Sequence, residues 1–473
     1  MSDVILINAP IVLYENKEDK RRNYFELGDE RSFTPVNLLY LAAYLIEKGY
    51  TVKILDTTAQ ELTLVDLLYT VAMEKPKLIG ISAMTPSIQA AVVMAKKLRS
   101  YNIPIVLGGV HITNDPTFIQ RFPYFDYGVV GDGEIVLHEI LQGKHQKGII
   151  YAKRIEDLDI LPFPAWHLVN LQDYRRKEMD QREPYHMDIL TSRGCAFSCS
   201  FCSCPNSGNK VRFRSPKRIV DEIESKYDIC KGYYIMNDDC FTLSKKHIMA
   251  VAQEIFDRNV KIKFIASTRA DNMDDEIIRT IKKMGCIQLA IGCESGSERI
   301  RNEVLGKRIS NKDLANTISL CRKHKIQTSL FLMAGFPTET KEDMQMTVDI
   351  GPKLMADHIG VHQTTPYPGS RLWNDCIKEG RIPIDLIDQW TRGERGKDFT
   401  KGWVYYIPDG FTQKDMIDFK RKTYLTFYFH PKWVIRKLWQ AILHPIRFIK
   451  EDLQLFKILP FVIKYGGTKR QLN

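Results

Sequence analysis

The stretch TSRGCAFSCSFCSCPNSG, residues 191–208, sets four cysteines within ten positions. Their spacing is Cys195-x3-Cys199-x2-Cys202, with Cys204 two residues further on. An apolar run, YHMDILTSRG, precedes them and reads as a strand, while Gly194, Ser198, Ser200 and Pro205 make the segment itself a loop. Three thiolates on one short loop can hold three irons of a [4Fe-4S] cluster, which leaves the fourth iron without a protein ligand. An open coordination position is what a catalytic metal needs. Zinc sites instead favour a C-x2-C pair matched by a second pair or by histidines. Cys199 and Cys202 form one such pair, but no matching pair follows. A thioredoxin-like redox pair asks for different surroundings. Cys204 is extra to the spacing and reads as a loop thiol with no cluster role.

The whole chain bounds this reading. Its 473 residues are enough for two or three domains, each with its own core. Hydrophobic residues at 44% and charged residues at 26% fit a globular protein in water. The start, MSDVILINAP, has Asp3 where a secretory signal carries basic residues, and no apolar run reaches the roughly 18 residues that span a bilayer. A cytoplasmic protein is expected. All ten cysteines lie at or after Cys195, which does not fit a secreted disulfide framework. The net charge is +11, and residues 411–473 alone hold 13 Lys and Arg against 4 Asp and Glu. Most of the basic excess therefore sits in one tail.

Ahead of the cysteines, short apolar runs alternate with helical patterns. The strand candidates are Val4–Asn8, Thr51–Asp56, Leu78–Ala83, Ile103–Gly109 and Asp126–Gly131. Thr34 can cap a helix that has Pro35 at its first position and stops before Gly49. Further helices cover about 62–74 and 87–100. This rhythm predicts a doubly wound α/β domain of flavodoxin-like type, whose ligands sit beyond the carboxyl ends of its strands. The residues there are Asp56-Thr57-Thr58, Ser82-Ala83-Met84-Thr85, Gly108-Gly109-Val110-His111 and Gly131-Asp132-Gly133-Glu134. Glycine and hydroxyl residues make ordinary turns, but four such ends in one domain predict a groove for a large, flat or long ligand. No G-x-G-x-x-G follows the first strand, so a dinucleotide site is not expected.

Behind the cysteines the alternation resumes. GYYIMNDD, KIKFIAST, IQLAIGCE, QTSLFLMAG and HIGVHQTT join YHMDILTS as six strand candidates, which predicts a partial (β/α)6 barrel of TIM type. Active residues of barrels lie at carboxyl strand ends. Those ends are Asn237-Asp238-Asp239, Ser267-Thr268-Arg269, Glu294-Ser295 and Gly335-Phe336-Pro337.

NLLYLAAYLIEKGYTVKILD, LIGISAMTPSI, PIVLGGVH and VVGDGE together resemble the cobalamin-binding domain at the front of many radical S-adenosylmethionine (SAM) enzymes. The resemblance covers most of residues 1–142. It implies cobalamin contacts from Thr57, Ser82, Met84, Thr85, Gly108, Gly109, His111, Gly131, Gly133 and Glu134. Domains that donate a histidine to cobalt carry Asp-x-His-x-x-Gly, and His111 lacks both partners at those spacings, so cobalt ligation is not expected from it. It lines the groove or satisfies a strand end.

The C-x3-C-x2-C spacing, with an aromatic before its last cysteine, resembles the signature of the radical SAM superfamily. That implies a [4Fe-4S] cluster on Cys195, Cys199 and Cys202 with SAM on the open iron, and Phe201 near the adenine. Asp238 and Asp239 stand where many members place a Gly-Gly-Glu segment for the amino group of SAM. The glycines are missing, and acids also suit a helix N-terminus. Arg269, Glu294 and Ser295 are the candidates for the carboxylate and ribose, although Arg269 can equally pair with Asp271. LFLMAGFPTET resembles the adenine-side strand, with Gly335 offering backbone and Pro337 stiffening the turn. TTPYPGS, residues 364–370, resembles a segment that closes the barrel, where Tyr367 faces substrate or simply packs.

The resemblance implies a division of labour between two cofactors. A 5'-deoxyadenosyl radical from SAM takes a hydrogen from an unactivated carbon, and methylcobalamin delivers a methyl group there. C-methylation of a small-molecule or lipid-like substrate is the leading expectation. Ring cyclisation or carbon–carbon coupling on a tetrapyrrole or lipid is the alternative within the same branch. A methylthiotransferase acting on RNA or protein would carry further cluster cysteines in the front domain, which has none. A non-catalytic iron–sulfur or zinc protein would explain the cysteines but not the groove or the repeats. A reductant such as a flavodoxin or ferredoxin is an expected partner.

The expected layout is a cobalamin-binding domain over 1–142, a linker over 143–184, the radical SAM barrel over 185–380, and a basic, amphipathic helical region over 381–473. In that last region Trp, Phe, Leu and Ile alternate with Lys and Arg at helical spacing, divided by Pro431, Pro445 and Pro460. Such helices can lie on an anionic membrane surface or pack on the barrel. Nucleic acid is not an expected partner, since no RNA-binding module is recognisable.

Overall fold

The computed structural model describes residues 1–18, 34–174, 186–204, 210–226, 229–230, 232–395 and 406–443. The chain divides into two compact units, residues 1–174 with 367–403, and residues 175–366 with 404–473.

The first unit is built on six parallel strands: β1 Val4–Asn8, β2 Val52–Asp56, β3 Leu78–Ser82, β4 Ile105–Gly108, β5 Tyr127–Val130 and β6 Gly148–Tyr151. Their order is β2-β1-β3-β4-β5-β6. The Val- and Ile-rich runs form these strands because both faces are covered, and Val4, Ile5, Ile7, Ile79 and Ile105 have no exposed surface. The direction of winding reverses between β1 and β3, which both pair in parallel with their neighbours. That reversal opens a crevice at the carboxyl ends of β1 and β3. Helix Leu64–Glu74 starts at a capping box between Thr63 and Asp66. Helix Val36–Glu47 starts differently from expectation: Pro35 holds the cap position and no side chain caps it, so Thr34 does not.

Two boundaries also differ from the sequence reading. The sheet runs past residue 142, because β6 pairs along β5 from Tyr127↔Gly148 to Val130↔Tyr151. And residues 367–403 belong with the front sheet, not with the barrel. Ile387 and the fully buried Trp390 enter the same core as Ile5, Leu67 and Leu98. Gln89 Nε2 donates to the Trp390 carbonyl at 3.0 Å. Arg121 bridges Asp115 and Asp388, with Nε 2.8 Å from Asp388 Oδ2. An amphipathic segment shows that it buries a face but not which core receives it, and so the sequence could not place this one.

The second unit carries β7 Met187–Ile189, β8 Ser192–Arg193, β9 Arg212–Phe213, β10 Tyr234–Met236, β11 Phe264–Thr268, β12 Cys286–Glu294, β13 Gln327–Ala334 and β14 His358–Gln363. The six barrel strands lie in the order β14-β13-β12-β11-β10-β7, and β8 pairs antiparallel with β9. The intervening helices begin at Ser215, Ser244, Asp274, Ser310 and Thr340, each accepting a backbone N–H in its own first turn. Along β12–β14 every second side chain is buried, as at Leu289, Ile291, Leu330, Leu332, Ile359 and Val361. The residues between them face inward and keep solvent access. Helix Gln413–Tyr428 runs beside the edge strand β14 and helix Pro431–Leu443 follows it. Residues 444–473 of the basic tail lie outside the described residues.

Candidate functional site

The cysteine loop is tied down before it begins. Asp238, at the end of β10, is fully buried and accepts from four donors on the strand leading to the loop. These are the N–H and hydroxyl of Thr191 (3.1 and 3.0 Å) and the N–H and hydroxyl of Ser192 (2.5 and 2.6 Å). Burial still outweighs these bonds and pushes its carboxyl up to about 6. The carboxylate is thus held by the chain itself chiefly through Oδ1, while Oδ2 meets the Thr191 hydroxyl at 3.0 Å. Asp239, beside it, is exposed.

Past that clamp, Cys195, Cys199, Cys202 and Cys204 are all half-buried free thiols. The Ser200 N–H donates to the Leu305 carbonyl at 3.1 Å. Phe201 stacks at a tilt on Phe336, centroids 6.2 Å apart, and joins a small core with Ile300 and Leu305. The Cys204 thiol donates to the sulfurs of Cys195 and Cys202, which pulls Cys195 down to about 6 and lowers Cys202, while Cys204 keeps its proton. Cys204 thus stands within the sulfur group, a placement that spacing alone did not show. At Cys199 burial raises the pKa, the charges of Lys307 and Arg269 lower it, and the neighbouring Cys202 raises it. Arg269 Nη1 is 3.9 Å from its sulfur.

Arg269 is itself pinned. Its guanidinium carbon lies 3.6 Å from the centroid of the Phe197 ring, its Nη2 is 2.8 Å from Asp271 Oδ2, and it donates to the Lys307 carbonyl. Lys307, which the sequence reading missed, is buried. Its ammonium reaches Glu294 Oε1 at 2.7 Å and the Gly292 carbonyl at 2.8 Å. A β-bulge and a φ of +63° at Glu294 turn that acid toward Lys307. A Cβ at Gly292 would lie 2.6 Å from Glu294 Oε1, so any side chain there would push the ends of the pair aside. Ser295 is fully buried and bonds to the Thr347 hydroxyl at 3.1 Å.

At the end of β13, Gly335 turns with a φ of +94°. The buried Glu339 holds this turn by accepting the N–H groups of Gly335 and Phe336 at 2.6 and 3.1 Å. Its Oε1 has no partner among the described residues. Burial, only partly offset by those two bonds, pushes its carboxyl up to about 7 from 4.5, with Asp343 and Arg299 nearby. A carboxyl whose folded pKa is raised contributes stability that is fully present below pH 4.5 and is lost as pH rises through 7. Glu339→Gln has no proton to lose. The variant is expected to gain on the wild type by on the order of 2–3 kcal/mol between pH 4.5 and 8.5, read from thermal unfolding across that range. Parallel pH profiles for the two proteins would contradict this.

In the first unit, the crevice end of the sheet combines small and apolar surface. Met84 and Val110 are 54% and 50% exposed, beside Ser82, Gly108 and Gly109. A Cβ at Gly108 would meet nothing within 4 Å, while Gly109, with a φ of +98°, packs its backbone against Ala83. Gly131 also turns with positive φ, and Gly133 leads into helix Glu134–Leu141, whose Glu134 is buried. An open glycine between exposed apolar side chains suits a large flat ligand. Three of the expected contacts point elsewhere. Thr57 donates to the Asn8 carbonyl at 2.8 Å. His111 is 0% exposed, bonds Thr85 Oγ1 through Nδ1 at 3.2 Å and meets the Phe118 ring edge-on. Burial pushes its pKa down to about 4, so it stays neutral. Of the two readings for His111, the structure gives the one that satisfies a strand end.

Among the described residues, no three Cys, His, Asp or Glu side chains converge as ligands of one metal ion. A [4Fe-4S] cluster asks for one thiolate per iron instead. Three half-buried thiols, two of them already inclined to ionise and the third flanked by two cations, have the donor chemistry for it.

Comparison with known proteins agrees. Residues 189–350 match the radical SAM superfamily. The chain thus carries a radical SAM domain there. Residues 30–141 match the B12 binding domain, which lies ahead of it. The cofactors of these two domains are a [4Fe-4S] cluster with SAM, and cobalamin. An uncharacterised methyltransferase of Pyrococcus horikoshii is 28% identical over 86% of this chain and 90% of its own length. The anaerobic magnesium-protoporphyrin IX monomethyl ester cyclase of Rubrivivax gelatinosus is 28% identical over 79% of this chain and 74% of its own. The fold is shared with the radical SAM methyltransferase TsrM of Kitasatospora setae, at a TM-score of 0.62 and 20% identity over 80% of this chain and 78% of that one.

Proposed function

We propose that this chain methylates an unactivated carbon of a small-molecule or lipid-like substrate. The observation that carries the reading is the Cys195–Cys202 loop, clamped by Asp238 and set beside the cations Arg269 and Lys307. Cys195, Cys199 and Cys202 are the residues to hold the cluster. The groove formed by Ser82, Met84, Gly108, Gly109, Gly131 and Gly133 is the place for cobalamin, with Glu134 at its margin. When bound, the cluster supplies an electron to the sulfonium of SAM and cobalamin carries the methyl group.

The chain's own residues bind, orient and exclude water. Arg269 and Lys307 offset negative charge beside Cys199. Phe201 and Phe336 form a dry wall, and the Gly335 turn offers backbone to the adenine. Asp239, the exposed acid of the pair, is the residue for the amino group of SAM. Glu294 stays locked to Lys307 as part of the same wall.

Anaerobic reconstitution tests the reading. The protein is expected to bind iron and cobalamin and to release 5'-deoxyadenosine from SAM, and a preparation that never does so would end it. Ring closure is the second reading, since one relative, 28% identical over 79% of this chain, is a magnesium-protoporphyrin IX monomethyl ester cyclase. SAM with a deuterated methyl group separates the two: methylation places three deuteriums in the product and ring closure places none.

For location, no helix among the described residues is long and apolar enough to cross a membrane. Peripheral contact is part of the proposal. Helix Pro431–Leu443 exposes Ile435, Leu438, Trp439, Ile442 and Leu443, which share one face at helical spacing. The exposed Lys432 at the start of the helix suits an anionic surface, while Arg436 is held by Asp357 and Lys437 is buried. The full chain is expected to float with phosphatidylglycerol vesicles, less so at raised salt, and Leu438→Glu with Trp439→Glu is expected to stay behind. A wild-type chain that does not float would remove this part.

A further inference from the structure

The inward face of the barrel strands carries polar chemistry that neither cofactor uses. Across β12, β13 and β14 the register places Gly292, Phe331 and Gly360 in one row and Met333 beside His362 in the next. The two glycines leave Phe331 standing above a low floor, and a Cβ at Gly360 would lie 2.9 Å from that ring. Phe331, in the middle of β13, is 38% exposed, and His362, next to last in β14, is also exposed. An exposed aromatic and an exposed imidazole at such positions line a concavity.

The edge of that face is closed by helix Gln413–Tyr428. Gln363 Nε2 donates to the Met416 carbonyl at 3.0 Å, and the Val361 N–H donates to the Tyr424 hydroxyl at 3.2 Å. His362 lies between those two strand positions. Lys420 lies between the two helix positions, four residues from each and on the same stripe. The two contacts bring this stretch of the helix alongside β14, while the His362 side chain leaves the opposite face of the strand from Gln363. The Lys420 charge acts on His362 and lowers its pKa further after burial has lowered it.

Lys420 is half-buried, and no carboxylate pairs with it among the described residues. Burial alone acts on its pKa, and downward. An ammonium taken out of water without a counter-ion is costly, and an arriving anion removes that cost. The acid that His362 faces, Glu294, is already neutralised by Lys307 at 2.7 Å. The corner therefore has a spare positive charge, an imidazole and an aromatic floor.

We propose that Lys420 and His362 form an anion subsite that receives a carboxylate or phosphate of the substrate, while Phe331 and Met333 pack on the flat or apolar part beside it. The proposal rests on the reading of this chain as a small-molecule enzyme and narrows its substrate class.

Calorimetry on the anaerobically reconstituted full chain tests it, with benzoate and phenyl phosphate as probes and benzamide as the neutral match. At least one anion is expected to bind about tenfold or more tighter than benzamide. Lys420→Met is expected to lose that preference and Lys420→Arg to keep it. Benzoate alone binding assigns a carboxylate substrate, and phenyl phosphate alone a phosphate one. Equal binding of benzamide, no binding of either anion, or unchanged binding in Lys420→Met beside a folded Lys420→Arg control would overturn the subsite. Formation of 5'-deoxyadenosine by the same wild-type preparation reports separately on the enzyme reading. Turnover without Lys420-dependent binding removes the subsite alone, and binding without turnover removes the enzyme reading alone.

Discussion

Replacing Cys199 with alanine is expected to leave the reconstituted protein with no detectable 5'-deoxyadenosine formation from SAM. The expectation is sharper for this cysteine than for its neighbours. Cys195 and Cys202 have the Cys204 thiol between them, a third sulfur that could take over part of a lost ligand's work. The Cys204 thiol acts on Cys195 and Cys202 but not on Cys199, whose neighbours are Lys307, Arg269 (Nη1 at 3.9 Å), Cys202 and Glu294. No other thiol can replace it there without moving the loop, and the loop is fixed by the Ser200–Leu305 bond at 3.1 Å. Bound iron should fall from about four per chain to well below that in Cys199→Ala, while Cys204→Ala keeps most of it. Iron analysis and product chromatography read both. A Cys199→Ala protein that still forms the product would show that the cluster lies elsewhere.

Asp238→Ala is expected to cost the second unit about 3 kcal/mol of stability. The side chain touches no cofactor in this reading, yet it answers four donors on Thr191 and Ser192 at 2.5–3.1 Å. Alanine leaves two buried backbone N–H groups without an acceptor. Asparagine should restore most of this, because both N–H groups meet one oxygen, Oδ1, which an amide oxygen can replace, while its NH2 can donate to the Thr191 hydroxyl at the place of Oδ2. Thermal unfolding at neutral pH should therefore place the alanine variant well below the wild type and the asparagine variant nearer to it, and iron retention should fall with stability. An alanine variant as stable as the wild type would show that the four bonds are replaceable by water.

The strands were legible because their chemistry is local. VILIN is buried along nearly its whole length, and β1 runs from Val4 to Asn8 as its apolar run does. The cysteine spacing was legible for the same reason. What stayed hidden depends on which neighbour a side chain meets. Ser295 and Asp238 stand at carboxyl strand ends, where ligands are expected, but Thr347 and the Thr191–Ser192 pair claim them first. His111 follows two glycines in a groove-like segment, yet its ring packs on Phe118. Lys307 lies 13 residues from Glu294 in the chain, in a turn with no recognisable pattern, and only the folded bulge brings the two together. A cation beyond a strand that ends in acid was the one available signal. The strand Gly148–Tyr151 was missed because GIIY is short and follows a charged run.

The return of residues 367–403 to the first unit has a consequence for the order in which the protein can fold. Ile387 and Trp390 fill a core whose other buried members, from Ile5 to Phe125, are all made long before them. At translation speeds of about 5–20 residues per second, that core waits on the order of 10–50 s for its last large side chain. Meanwhile the whole of β7–β14 emerges. The front sheet must spend that interval with an apolar cleft uncovered, and the nascent chain is most exposed to chaperones and to aggregation in just those seconds.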